Sequence, residues 1–415
     1  SYISEVYMKK HQKIFAAIFM AILIPCLTLL MSACGIDTTY VSPIVSVDKI
    51  TTSDIEEATN KAVLSVVSIY TEGNTLTSSV FGSTTSQTVF SAGAGIIYKL
   101  DKAAGDAYIV TNYHVVYNKS YTTSNHIAKK IYAEIYGSEG TTATELSDGS
   151  VSITYGQQVI ACEYVGGALN YDIAVLKISN SDIIKNSCVR AADIATNPAH
   201  LGETAIAIGN PLGIGISATK GIISVESEYI QYSDFYDVVV RCLRTDAPIN
   251  GGNSGGGLFD EKARLLGIVN AGINDAQNIG MAIPTNLAIN VADNIIYNYE
   301  KSGYSGVKLY NLGLTTGIAN NKAVYDEETK LTYMKEDIIV TESSGMALTS
   351  GLLVGDKVVS VQLGETKLEL SREFELNEFF LKVRPGDTFK ISVVRTTGIY
   401  TATVTASSLN YKSVA

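Results

Sequence analysis

The chain is constrained most by a succession of short, β-branched apolar runs separated by Gly, Asn and Ser clusters. They fall at Ala62–Tyr70, Ala94–Tyr98, Tyr108–Val110, Ile131–Tyr136, Ile173–Ile178, Thr204–Ile208, Gly221–Val225, Val238–Leu243 and Leu265–Val269. Segments this short and this closely spaced read as strands of an all-β barrel or sandwich. Two polar stretches between them, Thr71–Ser91 and Ser138–Ser150, read as loops. Asn286–Tyr299 changes period: Leu287, Ile289, Val291, Ile295 and Ile296 follow a helical spacing, and Lys301-Ser302-Gly303 is a helix stop. Beyond it, runs at Asp337–Thr341 and Lys357–Gln362, a helix-like Glu373–Val383, and strands Phe389–Arg395 and Ile399–Thr405 predict a small α+β module. A chain of 415 residues also exceeds what one core usually holds, so more than one domain is expected.

The N-terminus reads as an address. A basic segment, Met8-Lys9-Lys10 to Lys13, precedes the apolar stretch Ile14–Met31, the layout of an export signal. Met31-Ser32-Ala33-Cys34 resembles a bacterial lipobox, which makes Cys34 the lipidated first residue of the mature chain, although Met stands where Leu is usual. An uncleaved single-span anchor is the alternative, since the apolar stretch is about long enough to cross a bilayer. Either way the remainder lies outside the cytoplasm, tethered to the cell membrane. Cleavage removes Lys9, Lys10, Lys13 and Glu5, a net +2, and takes the charge from −10 to −12. So acidic a chain offers no basic face for nucleic acid. With Cys26 in the signal and Cys34 lipidated, Cys162, Cys188 and Cys242 remain; they read mainly as buried apolar residues, with one disulfide left open. Their spacing argues against a structural zinc site, and no metal or other cofactor is expected. Residues 1–33 are thus the signal and 34–59 a tether, which turns helical near Ser53-Asp54-Ile55-Glu56-Glu57.

Three local patterns carry chemistry. Asn250-Gly251-Gly252-Asn253-Ser254-Gly255-Gly256-Gly257-Leu258 sets a serine in a glycine-rich turn. Such a turn gathers backbone N–H groups, here those of Gly252 and Ser254, into an oxyanion hole. Thr111-Asn112-Tyr113-His114-Val115-Val116 places a histidine directly after a strand, and Asn170-Tyr171-Asp172-Ile173-Ala174-Val175-Leu176 places an acid at the entrance of another. Each pattern alone has an ordinary structural reading. Together, in the order His…Asp…Ser, they supply a base, its orienting acid and a nucleophile. His126 and His200 lack such context and read as surface residues, while Asp246 reads as structural.

TNYHVV, DIAVLKI and TDAPINGGNSGGGLF resemble the trypsin-fold serine proteases of the HtrA/DegP group, as do Ala205–Gly213, Thr219–Ser224 and Gly280–Asn286. The resemblance covers about residues 60–303. It implies a double six-stranded β-barrel, with Ser254 as nucleophile, His114 as general acid/base and Asp172 as the residue that orients the imidazole. The family usually has Pro where Gly251 and Gly257 stand, so the oxyanion loop is expected to have added backbone freedom and a resting, inactive arrangement. Val116–Asn170 is longer than many relatives need. The sequence around Pro248 and Ile268–Gly272 offers no carboxylate for a basic side chain, which points to a small apolar P1 residue.

The C-terminal segment, 304–412, looks like a bacterial PDZ domain at Gly345-Met346-Ala347, Ser350-Gly351-Leu352, Val354–Val359 and Val383–Asp387. Leu312, Gly313 and Leu314 resemble its carboxylate-binding loop, with Leu312 and Leu314 lining a pocket for C-terminal peptides. The resemblance implies envelope protein quality control by a homotrimer that cleaves unfolded or mislocalised proteins. A peptide-binding chaperone or adaptor with a latent protease domain is the alternative.

Overall fold

A computed structural model describes residues 53–78, 84–145, 151–232, 238–272 and 278–414. The expected export signal, Cys34 and most of the expected tether lie outside these residues. Among the described residues no helix is long and apolar enough to cross a membrane. The first element is helix α1 (Asp54–Ala62), which begins six residues before the expected domain boundary. It starts where expected because Ser53 and Glu56 form a reciprocal capping box. Ala58 and Ala62 anchor it on the core.

Nine strands follow: β1 (Val66–Ser78), β2 (Thr84–Asp101), β3 (Asp106–Thr111), β4 (Lys130–Ile135), β5 (Thr142–Glu145), β6 (Val151–Thr154), β7 (Ile160–Ala161), β8 (Glu163–Ala168) and β9 (Ile173–Ile178). Seven of them form a sheet in the order β7-β4-β1-β2-β3-β9-β8, while β5 and β6 make a separate ribbon. The stretch Thr71–Ser91, expected as a loop, is instead the outer half of the β1–β2 hairpin, in register from Thr71↔Ser91 to Ser78↔Thr84. Its Thr residues suit a pleated strand whether or not it is buried, and apolar periodicity alone misses such a ribbon. Likewise the first run expected as a strand, from Ala62, is helical through Ser65 and extended only from Val66.

The second sheet comprises β10 (Asp193–Ile194), β11 (Thr204–Gly209), β12 (Ser217–Tyr232), β13 (Val238–Thr245), β14 (Gly257–Phe259), β15 (Arg264–Gly272) and β16 (Gly280–Pro284). Its order is β10-β15-β14-β11-β12-β13-β16, and an added β15–β16 pairing closes six of its strands into a ring. The expected pair of six-stranded barrels is therefore met differently by the two halves. The second closes with β10 appended, whereas the first is a seven-stranded half-barrel with no closing pair among the described residues. This is a trypsin-like, strand-rich fold. The interior of the second barrel holds Ala205, Ala207, Leu243, Leu258, Val269 and Ala282. Small side chains there let opposite walls approach.

Two short helices, α2 (Tyr113–Val116) and α3 (Asp182–Asn186), precede the long α4 (Thr285–Ser302), which ends at Gly303 in the left-handed region, φ 67°. Helix α4 buries Leu287, Val291, Ile295 and Ile296, each worth about 1.5–3 kcal/mol relative to exposure. The buried Asn294 caps this packing: its Nδ2 donates to the carbonyls of Lys308 and Leu381, and its Oδ1 accepts from the Lys308 N–H.

The C-terminal module contains β17 (Val307–Tyr310), β18 (Leu314–Tyr325), β19 (Thr332–Ser343), α5 (Gly345–Thr349), β20 (Lys357–Leu363), β21 (Thr366–Glu369), α6 (Glu373–Phe380), β22 (Thr388–Arg395), β23 (Gly398–Thr405) and β24 (Tyr411–Val414). Its main sheet runs β18-β19-β20-β22-β23 with β21 on β20. Strand β24 returns to pair with β17, so the end of the chain is tied to the linker. The module also docks on the second barrel. Arg241 of β13, 5% exposed, stacks 4.0 Å from the Phe374 ring and donates through Nε to Glu378 at 2.6 Å.

Candidate active site

Strand β3 ends at Thr111, and Asn112 turns the chain into α2, which carries His114 in its first turn. On the far side, Asp172 sits between a 3-10 turn and β9 with φ 49° and ψ 42°, a left-handed conformation that aspartate tolerates better than most side chains. That geometry aims both ends of the residue at α2. The Asp172 carbonyl accepts the Tyr113 N–H at 3.1 Å and Asn112 Nδ2 at 3.0 Å. Its carboxylate takes the His114 N–H on Oδ1 at 2.9 Å and His114 Nδ1 on Oδ2 at 2.8 Å. A carboxylate oxygen only accepts, so Nδ1 is the donor in this contact.

A residue that sequence reasoning left without a role completes the cluster. Asn270 of β15 donates through Nδ2 to Asp172 Oδ2 at 2.8 Å, and its main-chain carbonyl accepts the Ser254 hydroxyl at 2.6 Å. Its one signal was an amide side chain at 1% exposure inside the otherwise apolar run Leu265–Ala271. The strand Tyr108–Val110 likewise hid Thr111, whose Oγ1 donates to the Ala94 carbonyl at 2.7 Å and braces the wall against the Ser254 loop.

The serine loop is sewn between β2 and β15. The Ala94 N–H donates to the Ser254 carbonyl, the Gly255 N–H to the Val269 carbonyl, and the Val269 N–H to the Gly256 carbonyl, each at 2.8 Å. Gly255 is required: its φ is 85°, and a Cβ would lie 2.1 Å from the Ala94 carbonyl oxygen. Before the serine, an Asn253 N–H to Asn250 carbonyl bond of 3.1 Å closes a turn whose third residue, Gly252, has φ 94°. That is the glycine position of a type II turn. Among the described residues, the N–H groups of Gly252 and Ser254 donate to no backbone carbonyl. Gly251 faces open space, whereas a Cβ on Gly257 would lie 2.3 Å from the Phe259 ring. The two departures from proline thus differ: the first is free, the second is dictated by packing.

Ile249 lies over Gly280, where a Cβ would come within 2.5 Å of its Cδ1. Asp246 accepts the Ile222 N–H at 2.7 Å and holds β12. His126 is exposed, with Nδ1 2.9 Å from the Tyr121 carbonyl oxygen, and half-buried His200 lies 3.0 Å from Glu203. None of the three cysteines forms a disulfide among the described residues, and they differ in setting, against the expectation of mainly buried residues: Cys242 is buried, Cys162 half-buried and Cys188 exposed. Burial of the Cys162 thiol pushes its pKa up to about 12. Among the described residues no group of His, Cys, Asp and Glu could hold a metal ion.

In the C-terminal module, Gly313 has φ 83° and a carbonyl that accepts the Ser344 N–H at 2.8 Å. Leu312, expected to line a pocket, is 3% exposed within the module core, and its carbonyl accepts the Ala347 N–H of α5 at 2.9 Å; Leu314 is half-buried.

Residues 93–268 match the family model of the trypsin-like peptidase domain. The chain is 29% identical over 384 residues to the serine protease Do-like HtrA of Lactococcus lactis subsp. cremoris (strain MG1363), covering 86% of this chain and 83% of that protein. It is 29% identical over 366 residues to the serine protease Do-like HtrA of Bacillus subtilis (strain 168), covering 83% of this chain and 70% of that one. A solved structure of the HtrA-type protease AlgW with decapeptide matches at 26% identity and a TM-score of 0.49, covering 86% of this chain and 98% of that one. The chain is a serine endopeptidase with a trypsin-like peptidase domain, similar to the HtrA-type proteases.

Proposed function

We propose that His114, Asp172 and Ser254 are the catalytic triad, and that Gly252 and Ser254 supply the oxyanion hole. One observation carries this reading: Asp172 holds both the ring Nδ1 and the backbone N–H of His114, the contact of an orienting acid with its base. At rest the Ser254 hydroxyl donates to the Asn270 carbonyl, so the first step is a rotation that turns its proton towards Nε2. His114 then removes the proton as Oγ attacks the peptide carbonyl, and Asp172 stabilises the imidazolium. The tetrahedral oxyanion draws on the two uncommitted N–H groups. Breakdown passes the proton from His114 to the leaving amine and leaves an acyl-enzyme. Water, activated by the same nitrogen, then releases the acid and restores the serine.

The lack of a carboxylate in the sequence around Pro248 and Ile268–Gly272 supports a preference for a small apolar P1 residue. The substrates in this reading are unfolded or mislocalised proteins outside the cytoplasm, cleaved by a chain tethered through Cys34 or an N-terminal span and assembled as a homotrimer. The C-terminal module in this reading is PDZ-like and takes C-terminal peptides at the Leu312-Gly313-Leu314 turn, beside the free edge of β18. Comparing Ser254→Ala with the parent on unfolded casein tests the chemistry. The parent is expected to cleave and to label with a fluorophosphonate, and the variant to do neither; equal cleavage by both sinks the assignment.

A further inference from the structure

We propose that the cleft between the second barrel and the C-terminal module is a binding site for a small amphiphile with an apolar chain and one anionic head, of the fatty-acid class. The cleft encloses about 660 Å³, inside the usual range for small-molecule sites, and lies between two folded units, where such sites concentrate. Pro198, Leu243 and Leu266 line it from the barrel side, and Leu363, Leu368 and Phe379 from the module side. Leu243 and Leu266 belong to the barrel's interior cluster, so the cleft reaches the barrel floor.

The sign of the head follows from which polar groups on the wall are already used. Each wall carboxylate is engaged. Glu378 accepts from Arg241 Nε and from Asn286 Nδ2 at 3.0 Å, Glu375 accepts the Ser371 and Arg372 N–H groups, and Glu226 accepts the Leu201 N–H. The donors are not exhausted. Arg241 uses Nε and Nη2, on Glu378 and on Asn286, and among the described residues its Nη1 has no hydrogen-bond partner. Lys382, exposed at the rim, has none on Nζ among them either. The uncommitted groups Arg241 Nη1 and Lys382 Nζ are cationic donors, which suit an acceptor with negative charge. Burial also pushes the Glu378 carboxyl above the ordinary carboxylate value, so this wall resists an anion less than its count of carboxylates suggests.

Isothermal titration of the full chain with laurate, below its micelle concentration, is expected to show one saturable site. Dodecanol, with the same chain and no charge, is expected to bind about tenfold more weakly. Lys382→Gln should weaken laurate by about three- to tenfold and leave dodecanol unchanged. Leu368 is 42% exposed on the β20–β21 hairpin, so Leu368→Asp should fold normally and weaken both ligands by more than about tenfold. Absence of saturable laurate binding overturns the site. Equal laurate affinity in Leu368→Asp overturns its location, and equal affinity in Lys382→Gln overturns the anionic head. A valine-ended tetrapeptide that displaces laurate at lower concentration overturns the ligand class. None of these readouts depends on the triad assignment.

Discussion

Asn270→Ala removes the one side-chain amide that, among the described residues, reaches the Asp172 carboxylate, while leaving in place the main-chain carbonyl that holds Ser254. Hydrogen bonds to a charged group contribute about 1.5–3 kcal/mol. Asp172 keeps its two bonds from His114, at 2.9 and 2.8 Å, so the lower part of that range applies, about 1.5–2 kcal/mol. At about 1.36 kcal/mol per decade this is a loss of roughly ten- to thirtyfold in rate. Because Asn270 is buried, it does not contact substrate, and the loss should appear in kcat with KM unchanged. Steady-state hydrolysis of a chromogenic peptide with an apolar P1 residue measures the split, and the rate of fluorophosphonate labelling should fall in parallel. Asn112→Ala is the control: Asn112 reaches only the Asp172 carbonyl, which the Tyr113 N–H also satisfies. It should cost about 1 kcal/mol of stability and change kcat less than about threefold. A kcat within twofold of the parent for Asn270→Ala, with the fold intact, refutes the reasoning.

Three further outcomes follow from packing and charge. Gly251→Ala, in open space at an ordinary φ, should stabilise by about 0.4–1 kcal/mol, whereas Gly257→Ala, facing the Phe259 ring, should destabilise by about 1–3 kcal/mol in thermal unfolding. Glu134, with no exposure, accepts the N–H groups of Gly140 and Thr141 and the Thr141 hydroxyl; Glu134→Ala should lower Tm by leaving these donors unpaired, at about 1–3 kcal/mol each at most. Hydrogen bonds from Arg395 hold the Asp356 carboxyl below the ordinary carboxylate value. A lowered pKa means the folded state binds fewer protons, so this stability is fully present above about pH 3.9, the unfolded value, and is lost as pH falls through the folded one. Arg395→Leu should therefore flatten the acid limb of the unfolding profile.

Much of the fold was legible because burial leaves a periodic trace. Helix α4 was readable from Leu287, Val291 and Ile295 and from its glycine stop, and the barrel strands from their β-branched runs. Where side chains are not sorted by burial, the trace vanished. The Thr- and Ser-rich outer half of the β1–β2 hairpin looked like a loop, since its few apolar residues, Leu76, Val89 and Phe90, form no alternating run. The closing β15–β16 pair was equally unreadable, because strand neighbours are chosen across the chain and not along it.

His114, Asp172 and Ser254 could be named from local patterns, since each must sit in a particular backbone setting: after a strand, before a strand, in a glycine turn. Sequence alone thus determined the chemical repertoire, the strand-rich class and the change of character after Gly303. Tertiary structure decided which groups the repertoire touches. Only folding brings Asn270 to Asp172 across 98 residues of chain, turns the Ser254 hydroxyl onto a carbonyl, and puts Arg241 against Glu378 to wall a cleft between two units. The physical reason is range. Backbone conformation and burial are imposed by near neighbours and leave a pattern in the sequence, while a hydrogen bond between distant strands depends on register, which no local pattern encodes.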